Sequence, residues 1–267
     1  MRLAGVAVAV AVLSTSQPGW ADRASRGERA AHSTAQPASR ARPEPARPVA
    51  APRDAVLSAV RRAEAATGVD GTFLLAVGQR ESRLDTTARS RRSSARGLMQ
   101  FTDDTWLEAV RDFGARHGLE RQSRALAEAH QQGKSPPPRL RGDVLRLRHD
   151  PQLAAAIAAA RFEAWRPALR TALSREPTQT DLYLVHLLGA SGAQRFLTDL
   201  SRSPRRSALQ TVGRAGRANR ELFVRNGRSL TLAEVYADLS RSLSATMTEV
   251  AEMRAEESPA PIQVAAR

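Results

Sequence analysis

Between Asp54 and Leu239 the apolar residues of this chain recur at helical spacing, and no stretch shows the strict two-residue alternation of a half-buried strand. Asp54 can cap a first helix carrying Val56, Leu57, Val60 and Ala63 on one side and ending at Gly68. Thr72 can cap a second, from Phe73 to about Ser82, with Leu74, Val77 and Glu81 on one face. Thr102 or Asp103 begins a third, with Trp106, Val110 and Phe113 as its inward stripe and Gly114 near its end. Asp150-Pro151 opens a long alanine-rich helix bearing Leu153, Ile157, Phe162, Trp165 and Leu169, which Pro167 should bend. Thr180 starts another that Gly189 stops, a short helix follows it, and Thr231 with Glu234 forms a capping box ahead of a last helix. The stretches Leu84 to Arg96 and "GKSPPPR" read as loop.

Aromatic residues make up 4% of the chain while alanine is abundant, so the interior has to be built from Ala, Leu and Val on helices. The expected fold is all-α. With 267 residues, one globular domain with dispensable ends fits better than two full domains. There is no cysteine, which excludes disulfides and thiolate metal sites, and five scattered histidines without metal-binding spacing offer no metal centre. Neither a metal nor a cofactor is expected.

Residues 1–21 combine Arg2, an apolar run from Leu3 to Leu13 and small residues at Gly19 and Ala21. This is the pattern of a cleaved signal peptide, and the run is shorter than the roughly 20 residues a spanning helix needs. The expected result is an exported protein with no transmembrane anchor after cleavage. Residues 22–52 are rich in Ala, Pro and Arg and bury too little to offset their ordering entropy, so they read as a flexible linker. Residues 53–245 form the domain, and residues 246–267 read as a flexible tail. The net charge of +14 is carried by arginines spread along the whole chain, with no aromatic-flanked basic stripe. That distribution argues against a nucleic-acid partner and suits attraction to an anionic envelope surface.

Glu81 is the residue with chemical promise. A carboxyl group on an apolar helix face has its ionised form disfavoured by desolvation, which lifts its pKa toward the range of a general acid. The competing environment is an ion pair, for which Arg80, Arg83 and Arg96 are candidates.

The stretch "ESRLDTTARSRRSSARGLMQFTDDTW" resembles the soluble lytic transglycosylase (SLT domain) family, whose fold is lysozyme-like and related to goose-type lysozymes. The matching elements are Glu81-Ser82, Ala88-Arg89-Ser90, Ala95-Arg96-Gly97-Leu98-Met99-Gln100 and Thr105. This chain has one extra residue between Ser90 and Ala95, and Thr follows Asp85 where the family often has Pro. The family's later Ala-Tyr-Asn-Ala-Gly is replaced by Val185-His186-Leu187-Leu188-Gly189, so either His186 or Tyr183 one turn earlier would have to serve in place of the tyrosine. Longer similarity, from about Asp54 to Leu243, is to single-domain exported transglycosylases of Gram-negative bacteria, which implies a periplasmic location.

The resemblance implies that Glu81 protonates the glycosidic oxygen between N-acetylmuramic acid and N-acetylglucosamine in peptidoglycan, then takes a proton from the C6 hydroxyl as it closes a 1,6-anhydro ring. Most glycosidases use two carboxylates; the family manages with one. In this reading Ser82 is the hydrogen-bond partner of Glu81, Gln100 and Met99 contact substrate, and small residues including Ser90 and Gly97, next to Leu98, let glycan approach the backbone. Asp85, Asp103 and Asp104 are rival second carboxylates, the last two better explained as helix-start residues. A hydrolytic muramidase and a non-catalytic peptidoglycan-binding module are the alternatives.

Overall fold

The helix that carries Glu81, α2, runs Gly71–Ser82 and starts where the Asp70 carboxylate accepts the backbone N–H groups of Thr72 and Phe73. The start signal is therefore Asp70, two residues earlier than the Thr72 expected; both types cap, but the carboxylate also meets the positive end of the helix dipole. At its other end Arg83 and Leu84 both take left-handed backbone angles (φ 57° and 63°). Their N–H groups close onto Gln79 O and Gly78 O, which satisfies the last carbonyls of the helix.

A computed structural model of the chain describes residues 48–213 and 220–256. The segments 1–21 and most of 22–52, read above as signal peptide and linker, lie outside those residues. Its described elements are α1 (Arg53–Thr67), α2, α3 (Asp103–Phe113), α4 (Glu120–Gln131), α5 (Pro138–Arg146), α6 (Pro151–Leu173), α7 (Gln179–Arg202), α8 (Ala208–Val212), α9 (Arg220–Phe223), a two-residue hairpin of β1 (Val224–Arg225) and β2 (Arg228–Ser229), and α10 (Leu232–Glu256). The described residues are all-α apart from that hairpin.

Several start signals hold and some move by a residue or two. Gly68, in a left-handed conformation, ends α1, but Pro52 precedes that helix without a side-chain cap, and Asp54 lies in its first turn. Thr102 caps α3 and Asp150 caps α6, with Pro151 at its first position; Pro167 sits inside α6 without ending it. The cap of α7 is Thr178 rather than Thr180, because Asp181 completes a capping box with it. Gly189 (φ 71°, ψ 165°) breaks α7 into two helical halves. The Thr231–Glu234 box is formed, each residue's side chain accepting from the other's N–H. The region around "GKSPPPR" is more ordered than expected: α4 precedes it, and Pro138 stands at the start of α5, where a missing N–H costs nothing.

The largest departure is at the C-terminal end. Residues 246–256 are not a loose tail but the last turns of α10. Val250 is fully buried there, and Arg254 pairs with Glu64 of α1 (2.7 Å) while donating to Thr72 (2.9 Å). The composition of that stretch looks polar, yet Val250 is buried and the helix packs on α2 and α7, with Arg254 reaching α1. Docking, not propensity, keeps the helix.

Helix α2 is central, packed on α1, α6 and α10, while α7 packs on α6 and α10. Every residue of α2 from Phe73 to Gly78 is buried. It is thus enclosed on all sides rather than on one face. Phe73 meets Phe162 of α6 edge to face at 4.9 Å, and fully buried Trp106 of α3 donates its indole N–H to Val144 O at 2.7 Å.

Candidate active site

The enclosed position of α2 makes Glu81 unusual. Its side chain is buried, and Oε1 accepts a hydrogen bond from the Tyr183 hydroxyl at 3.1 Å. Oε2 is buried without a hydrogen-bond partner among the described residues. Burial pushes the Glu81 carboxyl up to about 8, against the smaller opposing pull of the Tyr183 hydrogen bond and the Arg80 charge. Glu81 is therefore protonated and neutral at pH 7.

Among the described residues the donor to this carboxyl is Tyr183, not Arg80. Arg80 turns instead to α7 and α10, where Nε donates to the Tyr183 oxygen (3.2 Å) and Nη1 donates to Ser242. Its guanidinium also lies over the Tyr183 ring, 5.2 Å from the centroid. Burial, and the charge of Glu81, raise the Tyr183 pKa, so the phenol stays protonated.

His186, one turn beyond Tyr183 on α7, stacks on the Tyr183 ring at 6.2 Å, and its Nε2 stands 3.8 Å from Glu81 Oε1. That is too long for a hydrogen bond. Burial, and then the nearby Arg161 charge, lower its pKa to about 3, so the imidazole is neutral. Of the two candidates left open by the sequence, Tyr183 makes the hydrogen bond, and His186 lies beside it.

The loop after α2 folds back on itself. Ser90 N donates to Ala95 O (3.0 Å), Gly97 N to Ala88 O (2.9 Å) and Arg96 N to Phe101 O (3.1 Å). Several residues expected to meet substrate are spent on this architecture. The Ser82 hydroxyl lies between Leu98 O (2.8 Å) and Gly78 O (3.0 Å), so it ties the loop to α2 and does not bond Glu81. Gln100 places its amide nitrogen on Gly97 O (3.0 Å) and Ala88 O (3.3 Å), engaging both donors. Leu98 and Met99 are buried in the core. The Ser90 hydroxyl accepts from Arg92 N (3.2 Å).

Gly97 (φ 78°) is required by packing. A Cβ there would sit 2.3 Å from Arg148 O, so the small residue admits the chain's own backbone rather than a ligand. Arg148 is buried, donates to Ser94 O and Phe101 O (3.1 Å each) and pairs with Asp103 (2.8 Å). His149 meets Thr86 O at 2.8 Å. Nothing in the sequence marked Arg148 among so many arginines; its role comes from being the one threaded under this loop.

Two of the three rival carboxylates, Asp85 and Asp103, are occupied. Asp103 is held by Arg141 and Arg148, and Asp85 accepts from the N–H and hydroxyl of Thr87 within a turn. Asp104 is exposed in the first turn of α3. Among the described residues no group of three or more His, Asp or Glu side chains is arranged to hold a metal, and no helix is long and apolar enough to cross a membrane.

Residues 58–125 match the family model of the transglycosylase SLT domain. The match takes in Glu81, the folded-back loop and Thr105, and it ends before α7, so Tyr183 and His186 come from the part of the chain beyond it.

Proposed function

This chain carries a transglycosylase SLT domain, a lysozyme-like unit that acts on peptidoglycan, and from that premise we propose that it is a lytic transglycosylase with Glu81 as its only acid and base. The observation that carries the reading is a buried carboxyl with one oxygen held by a tyrosine and the other left without a partner among the described residues, and burial raises its pKa. Such a group stores a proton at neutral pH and releases it to an oxygen brought alongside.

In the first step the Glu81 proton passes to the glycosidic oxygen, the C1–O bond of N-acetylmuramic acid breaks, and N-acetylglucosamine leaves with a free 4-hydroxyl. Positive charge develops at C1, which favours the ionised carboxylate just formed. In the second step the C6 hydroxyl of the same muramyl residue attacks C1. Its proton returns to Glu81, the 1,6-anhydro ring closes, and the acid is restored without water. Tyr183 donates to the carboxyl in both states, and its stabilisation is greater when Glu81 is ionised.

The engagement of Asp85 and Asp103 in a turn and in ion pairs supports a single-carboxylate route over a hydrolytic one, since neither is left to activate water. Export to the periplasm belongs to the same reading and rests on the character of residues 1–21. The test is digestion of purified peptidoglycan sacculi with analysis of the products by mass spectrometry. Anhydro-muramyl ends, absent with Glu81→Gln, are expected; reducing ends would make the protein a muramidase, and full activity of Glu81→Gln would remove the assignment.

A further inference from the structure

Two polar contacts at the site are not needed to explain the fold of α2: the fork of Arg80 onto Tyr183 and Ser242. They matter because a phenolic hydroxyl has one hydrogen and can point it only one way. The Tyr183 oxygen accepts from Arg80 Nε, so its hydrogen is left for Glu81 Oε1. A protonated carboxyl that accepts at Oε1 carries its own hydrogen on Oε2, the atom with no partner among the described residues.

We propose that Arg80 is a positioning residue that acts through Tyr183: by fixing the direction of the tyrosine hydrogen bond it assigns the transferable proton of Glu81 to Oε2, and Ser242 of α10 anchors the guanidinium that does so. The proposal rests on the general-acid reading of Glu81.

The surroundings leave few other candidates for this role. From α7 come Tyr183 and the neutral His186, whose Nε2 lies 3.8 Å from Oε1 and makes no hydrogen bond. From α6, Arg161 donates to Thr105 O and stands over the rings of Phe101 and Trp165. On α10, Glu249 accepts from Gln79 and Arg254 is paired with Glu64 of α1. Among the described residues Arg80 is thus the cation that acts on the carboxyl, and its charge favours the ionised form, opposing the upward push of burial on Glu81.

A neutral Arg80→Gln side chain no longer presents a charged donor to the Tyr183 oxygen. The hydroxyl hydrogen is then free to turn from Oε1, and the proton of Glu81 distributes over both oxygens. Two effects follow. On the acidic plateau, where Glu81 is protonated in every variant, sacculus clearing by Arg80→Gln should fall about twofold, since a proton shared equally between the two oxygens is on Oε2 about half of the time. The alkaline limb of the rate, and the Glu81 carboxyl followed by 13C NMR titration, should both move up by about one pH unit on loss of a nearby cation.

The decisive measurement is a double-mutant cycle with Tyr183→Phe, read on that plateau. If Arg80 acts through the hydroxyl, Arg80→Gln costs nothing further once the hydroxyl is gone. An equal cost in both backgrounds, or an unshifted carboxyl titration, overturns the proposal. Should Arg80→Gln not fold, Ser242→Ala carries the test: it frees the far end of the fork and should shift rate and titration in the same directions by a smaller amount, whereas an unchanged profile overturns the idea. Glu81→Gln in the same assay separates the two levels. Activity in that variant sinks the general-acid reading itself, while an inactive Glu81→Gln beside an unaffected Arg80→Gln sinks only the role given to Arg80.

Discussion

Replacing Glu81 with glutamine should make the protein's stability less dependent on pH, and the size of the effect follows from the burial of the carboxyl. Its pKa is about 8 in the folded state against 4.5 when unperturbed. A raised folded pKa means that the native state holds a proton the unfolded chain has already released. The associated stability is fully present below about pH 4.5 and is lost as pH rises through about 8. At about 1.4 kcal/mol per unit, the wild type loses about 3 kcal/mol between pH 4 and pH 7, and about 5 kcal/mol by pH 9. Glutamine is neutral in both states and loses none of this, and its amide oxygen can still accept from Tyr183. The extra amide hydrogens lie where Oε2 has no partner, which costs about 1 to 3 kcal/mol at every pH. The variant should therefore be somewhat less stable than wild type at pH 4, and should overtake it as the pH rises. Urea unfolding of both proteins at pH 4, 7 and 9 measures the difference. A difference that stays constant across that range would refute the claim that Glu81 is buried as the neutral acid.

Three other outcomes test the framework around the site. Gly97→Ala forces a Cβ against Arg148 O at a left-handed φ, and should cost more than about 2 kcal/mol in thermal or urea unfolding, with clearing activity lost in parallel. Ser82→Ala removes the hydroxyl shared by Leu98 O and Gly78 O. It should cost about 1 to 2 kcal/mol while leaving the alkaline limb of activity where it was, because Ser82 does not bond Glu81. A chain ending at Ala245 gives up the buried Val250 and the Arg254–Glu64 pair, and should unfold with about 3 kcal/mol less stability; an unchanged midpoint would return residues 246–256 to the status of a tail.

What local sequence settled is the helices α1, α2, α3, α6, α7 and α10 and the carboxyl among them, while α4 and α5 went unmarked. Helical spacing, capping residues such as Thr102 and Asp150, and the stop at Gly68 are short-range signals, and each acts within a turn of where it is written. The apolar neighbours Leu74 and Val77 were enough to mark Glu81 as desolvated, because a helix places residues three and four apart on one face wherever it ends up. Tertiary structure decided what each polar atom near that carboxyl touches. Only packing of α7 on α6 and α10 could choose Tyr183 over His186, turn Arg80 from Glu81 to the phenol, and spend Ser82, Gly97 and Gln100 on holding a loop together. These contacts join residues as much as 162 positions apart, Arg80 to Ser242 being the longest at the site, and a hydrogen bond's direction depends on all its neighbours at once. The fate of residues 246–256 has the same cause. A weakly amphipathic helix is stable where another part of the fold packs against it, and here that part, α2, lies some 180 residues earlier in the chain.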